Sequence, residues 1–295
     1  MGNFSGVWPA LVTPFTTDDR VSVPVLRDQV EYLIGKEAGG FYVCGATGQG
    51  IFMSVPERKL VVETVLDQVQ ERVPVIVHVG SVACTDAMGL AEHAQRSGAA
   101  AVSSILPPLY RDSRSLYAYF EAVAAAAPDL PLLPYLYGGP ADAVELMREL
   151  MPIPNVAGTK YTGPNMYEFK RLVELRSDNW TLFSGMDEQC LFAAMSGACG
   201  HIGSTLNIML GVYRDIRKCY EMGDVVQALA LQNKGNRIIT VLYSYGFNGA
   251  LREALRLLGL DCGQPRLPAH PFPENRKEAF YDSLEAAGFF ELAQA

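Results

Sequence analysis

Histidine is scarce in this chain, at 4 of 295 residues, and the 6 cysteines are scattered without a C-x-x-C pair. A structural or catalytic zinc site needs several such ligands at short spacing, so the sequence offers no zinc-like cluster. Blocks of lysine and arginine are also lacking, and the formal net charge is −8. A surface of that sign repels phosphate backbones and anionic headgroups, which argues against nucleic acid and against a membrane surface as partners. No uninterrupted apolar run is long enough to span a bilayer. The opening stretch MGNFSGVWPALVTPF has neither a basic n-region nor a long apolar core, so a secretory leader is not expected. Cysteines dispersed through a mid-sized acidic chain point to reduced thiols and a cytoplasmic protein.

Apolar residues, by contrast, make up 49% of the chain, and they are laid out in an alternating order. Short apolar segments at 6–13, 40–45, 74–79, 100–106, 130–137, 155–160, 180–184 and 200–203 read as strands. Between them, segments at 23–36, 56–70, 85–97, 113–127, 142–150, 164–175 and 187–195 read as helices. Ser22 and Pro24 open the first helix, Ser54, Pro56 and Glu57 make a capping box on the second, and Thr85 and Gly98 bracket the third. Strands that are apolar throughout, each followed by a helix, indicate a parallel sheet covered on both faces. Eight such units suit a closed TIM (β/α)8 barrel better than a doubly wound open sheet, and no G-x-G-x-x-G follows the first strand. After about residue 205 the strand signal stops, and helices are expected at 207–221, 224–245, 249–258 and 274–287. The expected organisation is a catalytic barrel over 1–222 with a helical extension over 223–295 packed on it.

A TIM barrel carries its site at the C-terminal ends of the strands. The sixth strand ends in Lys160. Such a lysine is ordinarily a side chain that has reached solvent. The other reading is a desolvated amine of lowered pKa, able to form a Schiff base with a carbonyl compound. The second strand runs into Gly45-Ala46-Thr47-Gly48-Gln49-Gly50, whose backbone N–H groups can hold a carboxylate, or which needs its glycines only to turn. Tyr110 follows the fourth strand, Tyr137 the fifth, Gly185-Met186-Asp187-Glu188 the seventh and Ser204-Thr205 the eighth. Asp187 either joins the site or caps the next helix. The whole set suits chemistry on a ketone that bears a carboxylate, with the lysine as nucleophile and a tyrosine moving protons.

In order and spacing, these pieces resemble the N-acetylneuraminate lyase and dihydrodipicolinate synthase family of class I pyruvate aldolases, essentially from end to end. The shared segments are LVTPF at 11–15, G-x-T-G-x-G at 45–50, S-x-x-E-R at 54–58 and HVG at 78–80. They continue with Tyr137 and Pro140-Ala141, G-x-K at 158–160, G-x-D-E at 185–188, GSTxN at 203–207 and PRLP at 265–268. The resemblance implies that Lys160 forms the Schiff base with pyruvate and that Tyr137 shuttles the proton. It implies that Thr47, with the turn through Ala46 and Gly48, holds the pyruvate carboxylate. Thr162, Gly185, Asp187, Glu188 and Ser204 are implied to contact the substrate, the two acids and the serine through the hydroxylated tail of a sugar acid. Tyr110 is implied to stand near the site of a neighbouring subunit, which makes a homotetramer the expected assembly. No metal or added cofactor is implied beyond the covalent Schiff base on Lys160.

The implied reaction is reversible cleavage of N-acetylneuraminate, or a related sugar acid, to pyruvate and N-acetylmannosamine. The synthase branch carries an arginine shortly after its tyrosine, and 137–143 has none, so the chain is closer to the lyase branch. The alternatives are dihydrodipicolinate synthase, another pyruvate-dependent 2-keto acid aldolase or, in a different class, a ligand-binding barrel without catalysis. Ala46 stands where the family has Ser or Thr, and Gln49 where it has Glu. Loss of that hydroxyl from a proton relay is expected to lower efficiency by about ten- to a hundredfold. Gly138 and Gly139 replace bulkier residues and are expected to widen the pocket.

Overall fold

The computed structural model describes residues 4–109, 111–138, 142–175 and 180–294. Its strands are β1 (Gly6–Pro9), β2 (Phe41–Val43), β3 (Val75–His78), β4 (Ala101–Ile105), β5 (Leu132–Tyr137), β6 (Gly158–Thr162), β7 (Thr181–Ser184) and β8 (Gly200–Gly203). All pairings are parallel, in the order β1-β8-β7-β6-β5-β4-β3-β2. The ring closes through a parallel bridge between Ala10 and Tyr42, with the Leu11 N–H donating to the Tyr42 carbonyl at 2.9 Å. The expected TIM barrel is what forms.

Each strand feeds a helix: α1 (Val23–Gly35), α2 (Val55–Val69), α3 (Cys84–Arg96), α4 (Ser113–Ala126), α5 (Ala143–Leu150), α6 (Met166–Glu174), α7 (Cys190–Ser196) and α8 (Leu206–Glu221). Four more follow: α9 (Val225–Ser244), α10 (Phe247–Leu257), α11 (Lys277–Ala286) and α12 (Phe289–Gln294). Both faces of the strands are buried, which is why their sequences lack polar alternation. Trp8, Tyr42, Ile76, Leu133, Phe183 and Ile202 fill the barrel interior, while Phe41, Val43, Val75 and Val77 face the helix layer. Among the described residues no helix is long and apolar enough to cross a membrane.

The capping box on α2 is present: the Ser54 Oγ accepts from the Glu57 N–H, and Glu57 Oε2 accepts from the Ser54 N–H at 2.8 Å. Three expectations shift. Thr85 is not the cap of α3, which starts one residue earlier with Ala83 at its cap position. The segment 187–195 is broken into a 3-10 turn, Asp187–Gln189, and α7. The sixth strand begins at Gly158 rather than at 155, because the Asn155 amide donates to the carbonyls of Ala127 and Leu130 at 3.0 and 2.9 Å. Those bonds tie the incoming chain to the end of α4, so Lys160 falls in mid-strand instead of at the strand end.

Candidate active site

The site is set by the register of β5 against β6. Tyr135 lies opposite Lys160 and Tyr137 opposite Thr162. Residues two apart on a strand share a face, one rung of about 6.6–6.8 Å above the other. Lys160 and Tyr135 therefore make the lower rung and Thr162 and Tyr137 the upper. Lys160 is only 4% exposed, and its Nζ sits 4.2 Å from the Tyr135 ring centroid and 4.4 Å from that of Tyr42. Burial brings the amine down to about 7, against an opposing pull from the Asp187 carboxylate. Desolvation raises the Tyr135 phenol above its ordinary value, the Thr162 hydroxyl beside it working the other way. Tyr137 is 56% exposed, at the mouth, with its ring 5.8 Å from that of Tyr135.

These side chains line a cavity of about 500 Å³. Gly185 lets the chain after β7 pass close over the lysine: a Cβ there would stand 1.9 Å from Thr162 Oγ1 and 3.1 Å from Lys160 Cε. On the opposite side the Thr47 and Ser204 hydroxyls are hydrogen-bonded to each other at 2.6 Å. Asp187 does not cap the following turn. Its Oδ1 lies 2.8 Å from His201 Nε2, and its Oδ2 accepts from the Thr205 N–H and Oγ1 at 2.8 and 2.7 Å. Burial would raise this carboxyl, but the His201 and Thr205 bonds hold it below its ordinary value. Glu188 faces the mouth, where Tyr243 donates to its Oε1 at 3.2 Å. Burial, reinforced by Glu188, pushes that phenol up to about 12.

Of the site residues expected from sequence, Ala46, Thr47, Tyr137, Lys160, Thr162, Gly185, Asp187, Glu188 and Ser204 all line this cavity. Gly48 does not, being packed beneath the Leu11 carbonyl behind the turn. Tyr110, Pro140 and Ala141 lie outside the described residues. Sequence reasoning missed Tyr135, which shares a face with Tyr137 and could have been found by period-2 counting back from it. It also missed His201, and the wall contributed by Ile239, Tyr243, Phe247 and Asn248 of α9 and α10. No local signal distinguishes those four from ordinary helix positions.

The sequence profile of the dihydrodipicolinate synthetase family matches residues 3–287. This chain belongs to that family. It is 33% identical to the N-acetylneuraminate lyase of Rhizobium meliloti, over 89% of this chain and 88% of that one. It superposes on the Proteus mirabilis N-acetylneuraminate lyase with a TM-score of 0.93 at 32% identity, covering 98% and 100% of the two chains. A catalytic-lysine mutant of the Ruminococcus gnavus sialic acid aldolase also superposes at 0.93, with 26% identity and 99% and 97% coverage.

The two departures from the family pattern have different local settings. Ala46 stands at the cavity wall, so the hydroxyl it lacks is missing from the site. Gln49 is buried on the far side of the turn. Its amide donates to the Arg266 carbonyl at 2.8 Å, and its Oε1 accepts from the Arg266 N–H at 2.9 Å. A neutral side chain that can both donate and accept suits that position, and it holds the 265–268 segment against the barrel.

Proposed function

We propose that this protein is a Schiff-base-forming aldolase that reversibly cleaves N-acetylneuraminate, or a related sugar acid, to pyruvate and N-acetylmannosamine. The observation that carries the reading is Lys160: a buried amine at about 7, lining the cavity and placed between two tyrosine rings. Its free pair adds to the C2 ketone, water is lost, and the resulting iminium withdraws electrons from C3. A proton leaves the C4 hydroxyl, the C3–C4 bond breaks toward the iminium, and the C4 oxygen becomes the aldehyde of the released sugar. The enamine left on Lys160 is protonated at C3 and hydrolysed to pyruvate and the free amine. No added cofactor enters this sequence.

Tyr137 handles the C4 proton, as the resemblance implies: it lines the cavity one rung above Lys160, toward the mouth, while Tyr135 packs its ring against the Lys160 amine. Thr47 and the turn around it receive the pyruvate carboxylate, with Ser204 beside them, and Thr162 and Gly185 frame the reacting carbons. Asp187, Glu188 and Ser204 meet the hydroxylated tail, as the resemblance implies, with Tyr243 beside Glu188. The N-acetylneuraminate lyase names carried by relatives at about 32–33% identity support this substrate class.

The assembly is a homotetramer in which Tyr110 approaches a neighbouring site, as the family resemblance implies. The location is cytoplasmic, supported by Cys44, Cys190 and Cys262, which are buried free thiols. The test is release of pyruvate from N-acetylneuraminate by the wild-type protein and not by Lys160→Ala. No pyruvate from wild type would remove the substrate assignment, and activity retained in the variant would remove the mechanism.

A further inference from the structure

One stripe of α9 is turned toward the site. Gln232, Asn236, Ile239 and Tyr243 follow one another at helical spacing, which puts them on a single face of that helix. Gln232 is 1% exposed, and its Nε2 donates to the Asp187 carbonyl at 3.0 Å and to Asn236 Oδ1 at 2.9 Å. With its oxygen engaged as that acceptor, Asn236 turns its Nδ2 to the Glu188 carbonyl at 3.2 Å. Two successive carbonyls of the Asp187–Gln189 turn are therefore held by amides of one helix. About two helical turns further on, the Tyr243 hydroxyl donates to the Glu188 side chain at Oε1. The Tyr243 ring lies 5.0 Å from that of Phe247, across the corner where Gly246, at φ +89°, leads α9 into α10.

A glutamate free to rotate in a cavity loses side-chain freedom when a substrate hydroxyl docks on it, and that loss is subtracted from affinity. Here α9 has made the loss in the free protein: Asn236 fixes the backbone at Glu188, and Tyr243 fixes one carboxylate oxygen. A carboxylate can accept at both oxygens, so a single phenol bond to Oε1 leaves Oε2 whole for the tail of a substrate. Burial and the Glu188 charge keep the phenol protonated, so it remains a donor at neutral pH. We propose that Tyr243 is a specificity-determining positioning residue: it holds Glu188 in the orientation that meets the hydroxylated tail. The proposal rests on the sugar-acid reading above, and it adds α9, from outside the eight strand–helix units, to the elements that select the substrate.

Tyr243→Phe removes one oxygen and keeps the ring beside Phe247. With N-acetylneuraminate it is expected to raise KM about tenfold and to leave kcat within about threefold of wild type. Pyruvate has the keto-acid head and no tail. Borohydride adds hydride to C2 of the iminium that pyruvate forms with Lys160 and leaves a stable secondary amine, so trapping against pyruvate concentration reports the head alone. Its half-saturation should equal that of wild type in Tyr243→Phe, which also shows the variant to be folded. On a Glu188→Ala background the same change should add less than about twofold to KM, because its effect passes through the missing carboxylate. An unchanged KM in Tyr243→Phe overturns the proposal. So does an equal loss with pyruvate, which would describe general damage to the site. A tenfold loss that persists without Glu188 also overturns it, and makes Tyr243 a direct substrate contact. A wild type that traps pyruvate yet releases none from N-acetylneuraminate overturns the sugar-acid reading, and this proposal with it.

Discussion

At neutral pH an ordinary lysine is almost entirely charged, whereas a Lys160 amine at about 7 is divided between its two forms. Burial disfavours the ammonium, so the nucleophilic form grows as pH rises through about 7 and is complete above it. The initial rate of borohydride trapping with pyruvate should therefore climb about tenfold per unit well below pH 7 and flatten above about 8. A climb that continued to pH 10 would describe a solvated lysine instead. The tyrosines divide in the same way. Tyr137→Phe should lower kcat for pyruvate release by about a hundred- to a thousandfold, the range of a lost acid–base group. Tyr135→Phe keeps the ring against the Lys160 amine and should cost less than about tenfold. The reverse order would move the proton role to Tyr135. Tyr135 went unread in the sequence because both residues are tyrosine on one strand face; only the register against Lys160 shows which of them packs on the amine.

Elements were legible where their signals are local. The α2 capping box can be read from four residues, and it forms as expected. The start of β6 could not be read, because it depends on Asn155 bonding to carbonyls 25 and 28 positions away. His201 escaped notice for a related reason: its partners Ser184 and Asp187 are 17 and 14 residues distant. The capping box is also tied to the rest of the chain, since Arg266 Nη2 donates to Glu57 Oε1 at 2.6 Å. That bond above all brings the Glu57 carboxyl down to about 2 from its unfolded value of 4.5. A depressed acid stabilises the fold above its unfolded pKa and loses the effect as pH falls through the folded one. Glu57→Gln should therefore cost about 1 kcal/mol at pH 7, a value reduced for its partial exposure. The difference should shrink from about pH 4.5 downward. Urea melts of both proteins at pH 7 and pH 3 measure it, and an equal gap at both pH values would detach the effect from charge.

On the scale of the whole molecule, eight strand–helix units were countable from the order of apolar segments along the chain, and they close into the expected barrel. The relation of the last 70 or so residues to that barrel was harder to read, because an amphipathic helix does not reveal what it covers. We propose that the barrel over 1–222 and the helices over 223–295 form one folding unit. Val212, Tyr213 and Ile216 of α8 are buried, and so are Ile238 and Leu242 of α9 and Leu251 and Leu255 of α10. The Gln232 side chain of α9 also reaches into the barrel: its Nε2 donates to the Asp187 carbonyl at 3.0 Å, and its Oε1 accepts from the Leu191 N–H at 2.9 Å. Fully burying one such aliphatic side chain contributes about 1.5–3 kcal/mol. Uncovering several therefore exceeds the ~5–15 kcal/mol by which a domain is stable. A chain ended at residue 222 should accordingly show no cooperative thermal transition and no pyruvate trapping on Lys160. A cooperative melt with trapping retained would make the helices a separable cover. A cooperative melt with trapping lost would place their contribution at the cavity wall of Ile239, Tyr243, Phe247 and Asn248, not in the fold.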